Sequence, residues 1–225
     1  VTSLTAVLAA LKELPTMLKA GAPAARPGFR FSMLEGEIPR GALVEVSGVM
    51  GGGKTETVLR LLAENEGVRA AWVEENLTLY PVAFAQARVK LERTLFVDAS
   101  HDSEVALWAA QQILRSGACE IVVLVAHNVG ELSRRRLQLA AERAGTTVIL
   151  MCDQPSSIGT WPLALQLQVT RLNGLPEVRI LKRRGGGVAT LEEVASLISS
   201  AASNNASCPE QPDESALALK VRARA

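Results

Sequence analysis

Apolar residues in the first twenty positions recur at Leu4, Val7, Leu8, Leu11, Leu14 and Leu18. Steps of three and four predict an amphipathic helix over about residues 2–20. Gly21, Pro23, Pro27 and Gly28 then mark a linker. From residue 41 short β-type runs alternate with longer segments of helical period. Strands are predicted at Ala42–Ser47, Ala70–Glu74, Thr94–Asp98, Ile121–Ala126 and Thr147–Asp153. Helices are predicted at Thr55–Glu66, Pro81–Ala87, Ser103–Arg115 and Glu131–Ala144. Continuous Val/Ile/Leu runs suit strands covered on both faces, so the pattern predicts an α/β domain with a mostly parallel sheet and right-handed crossovers.

After residue 160 the pattern changes. Leu163–Leu172 and Pro176–Arg183 are two β-type runs separated by Asn173-Gly174-Leu175. Asn-Gly favours positive φ, which predicts a hairpin extending the parallel sheet as an antiparallel pair. A helix is expected at Thr190–Ile198. The stretch from Ser199 to Ala225, rich in Ser, Asn, Pro and acids, reads as a disordered tail. The expected organisation is a helix and linker over 1–28, a core over 29–198 and a tail over 199–225.

Within this pattern Gly48-Val49-Met50-Gly51-Gly52-Gly53-Lys54-Thr55 matches G-x-x-x-x-G-K-[ST] in full, between a predicted strand and a predicted helix. Glycines let backbone N–H groups curl round an anion, and the helix N-terminus adds partial positive charge. Lys54 is expected to meet the β- and γ-phosphates of a nucleotide, and the Thr55 hydroxyl to reach Mg²⁺.

Composition narrows the remaining classes. The chain has 225 residues, with 24 basic and 23 acidic side chains and a net charge of +1, so it is not a basic nucleic-acid coat. Three Trp, one Tyr and four Phe argue against a stacking surface for single strands. Cys119, Cys152 and Cys208 show no C-x-x-C spacing, which predicts a reducing compartment and no zinc site. Cys119 and Cys152 are expected to be small buried side chains, and His101 and His127 ordinary surface or strand-end residues. Trp72 and Trp108 fall on predicted core elements; Trp161 is the aromatic expected near a surface or DNA. Leu4–Leu11 has no basic segment before it, and Lys12 and Glu13 follow at once, so it is not read as a signal core and a cytoplasmic protein is expected.

The order of motifs resembles the RecA recombinase core over roughly residues 36–187. Ile38 to Gly48 resembles that family's entry into its phosphate loop, and Ala71-Trp72-Val73-Glu74 with Leu79 and Pro81 its second core strand and following turn. Arg115-Ser116-Gly117-Ala118 leading into Ile121-Val122-Val123-Leu124 resembles its run into the Walker B strand. Val148–Gln154 resembles the strand whose final glutamine senses the γ-phosphate, a role the resemblance gives to Gln154. The hairpin with Lys182-Arg183-Arg184 resembles the closing strands, from which two basic residues, here Lys182 and Arg184, reach a neighbouring subunit's nucleotide. The implied fold is a RecA-like P-loop core and the implied cofactor is Mg-ATP.

Departures from the family pattern carry as much information. The position of the water-activating Glu is Asn76, with Glu74 and Glu75 as nearby candidates; one step along an extended segment reverses side-chain direction. The Walker B Asp position is Val125, and Asp153 on the next strand is the candidate substitute for metal support. The adenine-stacking tyrosine position is Ala83, with Tyr80 and Phe84 nearby. Loss of a positioned base costs about a hundredfold to ten-thousandfold in rate, so binding without efficient turnover is expected. The gap from residue 126 to 131 is short, and only Pro155–Pro162 remains for a second DNA-binding loop, a poor base for strand exchange.

Short, catalytically eroded RecA-like chains of this kind resemble the ImuA family, also called SulA-like, and Ser133–Glu142 resembles that family's helix. The resemblance implies an accessory protein of SOS-induced translesion synthesis. Its implied partners are RecA, an inactive Y-family polymerase relative (ImuB-like) and a replicative-type error-prone polymerase, with weak or indirect DNA contact and no membrane. Nothing in these residues supports a division-inhibitor role. Arg134 and Arg135, in the run Arg134-Arg135-Arg136, are candidate partner contacts, alongside the plainer reading of a solvated helix face. Two alternatives stay open: an active DNA-dependent ATPase or recombinase paralogue, and a scaffold with a vestigial phosphate loop.

Overall fold

The computed structural model describes residues 27–184 except 35, 77, 128 and 157–162. The helices expected at 2–20 and 190–198, the tail from 199, and Trp161 lie outside the described residues.

Residues 27–42 open with a two-stranded antiparallel hairpin, β1 (Phe29–Arg30) and β2 (Glu37–Ile38), which the sequence pattern did not signal. β3 (Leu43–Ser47) runs into α1 (Lys54–Glu64), β4 (Ala70–Glu74) into α2 (Pro81–Gln86), and β5 (Thr94–Asp98) into α3 (Ser103–Ser116). β6 (Ile121–Val125) leads to α4 (Glu131–Ala144), followed by β7 (Thr147–Cys152), β8 (Leu165–Leu172) and β9 (Leu175–Arg183). The elements predicted within the described residues are all present, with ends moved by at most two residues, as expected where fraying sets the boundary.

The main sheet has seven strands in the order β5-β4-β6-β7-β3-β8-β9. Six of its strands run parallel; β9 alone is antiparallel. The antiparallel pair expected to extend the parallel sheet is present: β8 joins the sheet parallel to β3, and the returning β9 reverses against β8. The turn is tighter than its sequence reading. Leu172 pairs with Leu175, so the loop is Asn173-Gly174 alone, with φ of 51° and 82°. Two positive φ values give the twist that matches a two-residue hairpin.

Alternation along the strands splits the core between two faces. Leu43, Val73, Val122, Leu124, Val148 and Leu150 face α3 and α4. Val44, Val46, Trp72, Ile121, Val123, Ile149 and Met151 face α1, α2 and the small β1–β2 hairpin. Asp102 starts α3 by accepting hydrogen bonds from the N–H groups of Glu104 (2.8 Å) and Val105 (3.1 Å). Trp108, expected in the core, is 37% exposed because the buried stripe of α3 is Ala106, Ala109, Ala110, Ile113 and Leu114.

On the second face Phe84 is fully buried and meets Trp72 and Phe96 edge-on, each at 5.1 Å between ring centres. It ties the short α2 to the sheet, a segment too short to hold by helix propensity alone. Phe84→Ala is expected to cost about 3–5 kcal/mol, read as a lowered urea midpoint with an unchanged slope.

Candidate functional site: the phosphate loop and the carboxyl edge of the sheet

Four adjacent strands, β4, β6, β7 and β3, point the same way and end on one edge of the sheet. In open α/β sheets that edge is where ligands bind. The loop from Gly48 to Lys54 leaves β3 there, with α1 starting at Lys54. Gly53 precedes the helix at φ 98°, and a Cβ on it would lie 2.9 Å from Cβ of Pro176. A Cβ on Gly48 would sit 2.3 Å from the carbonyl oxygen of Val169. The loop is thus pressed against the β8–β9 hairpin: close approach requires glycine at 48 and 53, and at Gly53 the backbone angle requires it as well.

Arg171, near the end of β8, clamps this contact. Its guanidinium donates to the carbonyl oxygens of Gly51 (3.1 Å) and Gly174 (2.6 Å) and to the Glu56 carboxylate (3.0 Å). Met50 stands out from the loop, 87% exposed. Thr55 is exposed at the first turn of α1.

Across the edge, charged side chains from successive strand ends form a line. Nζ of Lys54 donates to Oδ1 of Asp153 at 2.7 Å and to the Cys152 carbonyl at 3.0 Å. Nε2 of His127 lies 3.8 Å from Oδ2 of Asp153. Nδ1 of His127 is 3.2 Å from Oε2 of Glu75, and the His127 backbone N–H donates to Oε1 of Glu75 at 3.4 Å. Of the sequence candidates, the fold brings together Lys54, Asp153 and Glu75. His127 completes the line, although its isolation in the sequence suggested an ordinary strand-end residue. Its position two residues beyond β6, on the edge the loop occupies, was the available signal.

Other candidates are placed elsewhere. Glu74 is 5% exposed, and its oxygens accept from Nε1 of Trp72 (2.6 Å) and the N–H of Thr78 (2.8 Å). Its carboxylate pins the turn after β4, so of the two glutamates only Glu75 joins the line at the edge, where it meets His127. Gln154 is exposed immediately after Asp153, and its carbonyl accepts a contact from Sγ of Cys152 at 3.1 Å. Lys182 and Arg184 end the antiparallel strand, at the sheet edge opposite the phosphate loop. They cannot reach the loop of their own chain.

Arg134 is corrected as a surface contact. Consecutive helix residues are spread by about 100°, and Arg134 shares the sheet-facing stripe with Leu137, Gln138 and Ala141. Its side chain is 13% exposed and pairs at 3.6 Å with Glu45, which is fully buried in β3. Glu45 also accepts from Nε2 of Gln166 (2.7 Å) and the N–H of Ser156 (2.8 Å), which anchors the start of the loop after Gln154. Arg135 remains exposed on the outer face. Cys152, 6% exposed beneath Asp153, is pushed up to about 12, first by burial and then by the Glu45 charge. It is an inert packing thiol at neutral pH.

Comparison with known proteins gives the chain's family. Residues 25–150, more than half of the chain, match the RecA N-terminal domain model. The chain belongs to the RecA family. RecA of Brevibacillus brevis is 35% identical over 91 residues, and RecA of Bacillus subtilis 36% over 91 residues, in both cases 40% of this chain and 26% of the relative. RecA of Prochlorococcus marinus is 39% identical over 93 residues, 40% of this chain and 25% of the relative. The chain thus spans about a quarter of the length of the curated RecA relatives it matches. In three dimensions it is similar to the crystal structure of the RadB recombinase, with a TM-score of 0.55 and 18% identity, covering 69% of this chain and 87% of that one. That likeness shows the shared fold.

The residues present in this RecA-family chain fit a magnesium–nucleotide group. The donor set is hard oxygen, the Thr55 hydroxyl and the half-exposed Asp153 carboxylate, beside an ammonium and a glycine loop. Gly53→Ala is expected to strain the loop, lowering stability by about 1–3 kcal/mol in thermal melts and weakening nucleotide binding in the same protein. Gly67→Ala, at a positive φ far from the loop with open space around its Cβ, is expected to affect stability alone.

Proposed function

We propose that this RecA-family protein is a nucleotide-binding accessory factor with weak or no ATP hydrolysis. The observation that carries the reading is a complete phosphate loop with Lys54 oriented at its mouth, while β6, the strand that should end in a metal-supporting acid, ends in Val125. Binding ATP uses the loop N–H groups, Lys54 and Thr55. Magnesium, when bound with the nucleotide, offsets phosphate charge, and Thr55 and Asp153 are the residues that would hold it. Fast turnover needs in addition a carboxylate set to take a proton from water, and Asn76 at that position cannot supply it.

The finer role we infer is in SOS-induced translesion synthesis, as in ImuA-type proteins, through contacts with RecA and an ImuB-like inactive Y-family polymerase relative alongside a replicative-type error-prone polymerase. The exposed Arg135, and Lys182 and Arg184 at the edge away from the loop, are the side chains we assign to protein contacts. A net charge of only +1 and a Glu74 carboxylate held by Trp72 and Thr78 support contact-based action over strand exchange.

Fluorescent-ATP titration tests the core of this reading. Lys54→Ala is expected to weaken binding by about ten- to a hundredfold, the loss of a charge-assisted contact. No binding by the wild type at millimolar ATP would instead favour a vestigial loop. Co-purification with RecA and the polymerase partner, and its loss in Arg135→Glu, tests the partner assignment.

A second reading, an active ATPase, is favoured by one observation: Glu75 lies in line with His127, Asp153 and Lys54. Phosphate release with single-stranded DNA separates the two. Turnover of about one per second or faster, abolished in Glu75→Gln, would establish Glu75 as the base and overturn the accessory reading.

A further inference from the structure

The ion pair between Lys54 and Asp153 has a consequence beyond its use as a candidate metal contact. Lys54 is the only cation of the phosphate loop itself, and its ammonium is taken: 2.7 Å to Oδ1 of Asp153 and 3.0 Å to the Cys152 carbonyl. Its side chain is 13% exposed, whereas Asp153 is 49% exposed. The buried partner is therefore the one that a phosphate must recruit, and the accessible partner is the one that can turn away. The register Ser47↔Cys152 sets Asp153 beside the first residue of the loop, so an incoming phosphate group meets a fixed negative charge at the mouth of its own site.

We propose that Asp153 is a built-in competitor for Lys54 that makes nucleotide binding depend on magnesium. With metal-free nucleotide the Asp153 carboxylate repels the phosphates and holds the ammonium they need. With Mg-nucleotide the same carboxylate faces a divalent cation and changes from a repelling group to a supporting one, which frees Lys54 for the phosphates. Nε2 of His127 lies 3.8 Å from the other carboxylate oxygen of Asp153. Asp153 is thus a selectivity residue for the metal-loaded form. Its effect on Lys54 is direct, through the charge it holds against the ammonium.

This inference rests on the nucleotide-binding reading above, and its test separates the two. The dissociation constant of a fluorescent ATP analogue is measured on the full chain, in excess Mg²⁺ and again in EDTA, for wild type, Asp153→Asn and Asp153→Glu. Wild type is expected to bind at least about tenfold more tightly with Mg²⁺. Asp153→Asn keeps an oxygen but loses the charge, so its affinity in EDTA is expected to rise by about tenfold and its ratio between the two conditions to fall toward one. Asp153→Glu keeps the charge and is expected to retain most of the preference. Thermal melts of the half-exposed variants are expected to match wild type, which separates the effect from unfolding.

Wild type that binds with Mg²⁺ while Asp153→Asn keeps the same Mg²⁺-to-EDTA ratio would overturn the competitor role and leave the nucleotide site standing. An equal loss of affinity by Asp153→Asn in both conditions would also overturn it, assigning Asp153 to holding Lys54 in place. Wild type that binds under neither condition would remove the nucleotide reading and this inference together.

Discussion

The shared carboxyl edge of β4, β6, β7 and β3 is the constraint from which the rest of the site follows. Those strands pair Glu74 with Val125, Val125 with Met151, and Ser47 with Cys152. Neighbouring strands lie about 4.8 Å apart, so side chains just past their ends are held within reach of one another. Glu75, His127, Asp153 and Lys54 meet for this reason, although up to 99 positions separate the partners of a single contact. A slip of one residue in any of these strands would send its terminal side chain to the opposite face. The buried Val, Ile and Leu of both faces prevent that slip, because it would carry a whole row of apolar groups out of one core and into the other.

The loop itself is held from both flanks. On one side the Cys152 carbonyl and Asp153 take the Lys54 ammonium; on the other, Arg171 ties Gly51 and Gly174 together while Pro176 lies against Gly53. The β8–β9 hairpin is therefore part of the phosphate site, not an appendage at the sheet edge. Deeper in the sheet, Glu45 in the middle of β3 is fully buried, with Arg134, Gln166 and the Ser156 N–H around it. Such a buried charge is expensive when left alone. Its partners come from three separate segments, so it locks α4, β8 and the loop after Gln154 into one arrangement.

The candidate site keeps the residues of a phosphate loop, and the strand beside it, β6, ends in Val125 rather than an acid. The glycine loop, Lys54 and Thr55 are all present. One strand over from the end of β6, Asp153 contacts Lys54 directly. Glu74 retains an acidic character at the end of β4 but spends it on Trp72 and the turn at Thr78. These parts are the ones on which the proposed nucleotide-binding role rests.

The chain's own pattern determined the alternation of strands and helices, the parallel α/β class, the hairpin at Asn173-Gly174 and the phosphate loop. Each depends on local periodicity or on a motif contiguous in sequence, where backbone preference and side-chain spacing act without help from distant residues. Only the tertiary structure decided that β8 joins the parallel set, that Arg134 belongs to the core with Glu45, and that Glu74 turns to Trp72 and Thr78 while Glu75 meets His127. Arg134 shows why. A run of three arginines looks like one charged face, but helical geometry sends its members in different directions, and which of them is buried depends on the sheet beneath. His127, two steps past β6, and Arg171, near the end of β8, carry no signature because a single residue at a strand end acquires its role from the elements beside it. The order β4-β6-β7-β3-β8 is a long-range property of hydrogen bonding and burial, and it alone turned residues scattered across the sequence into one edge.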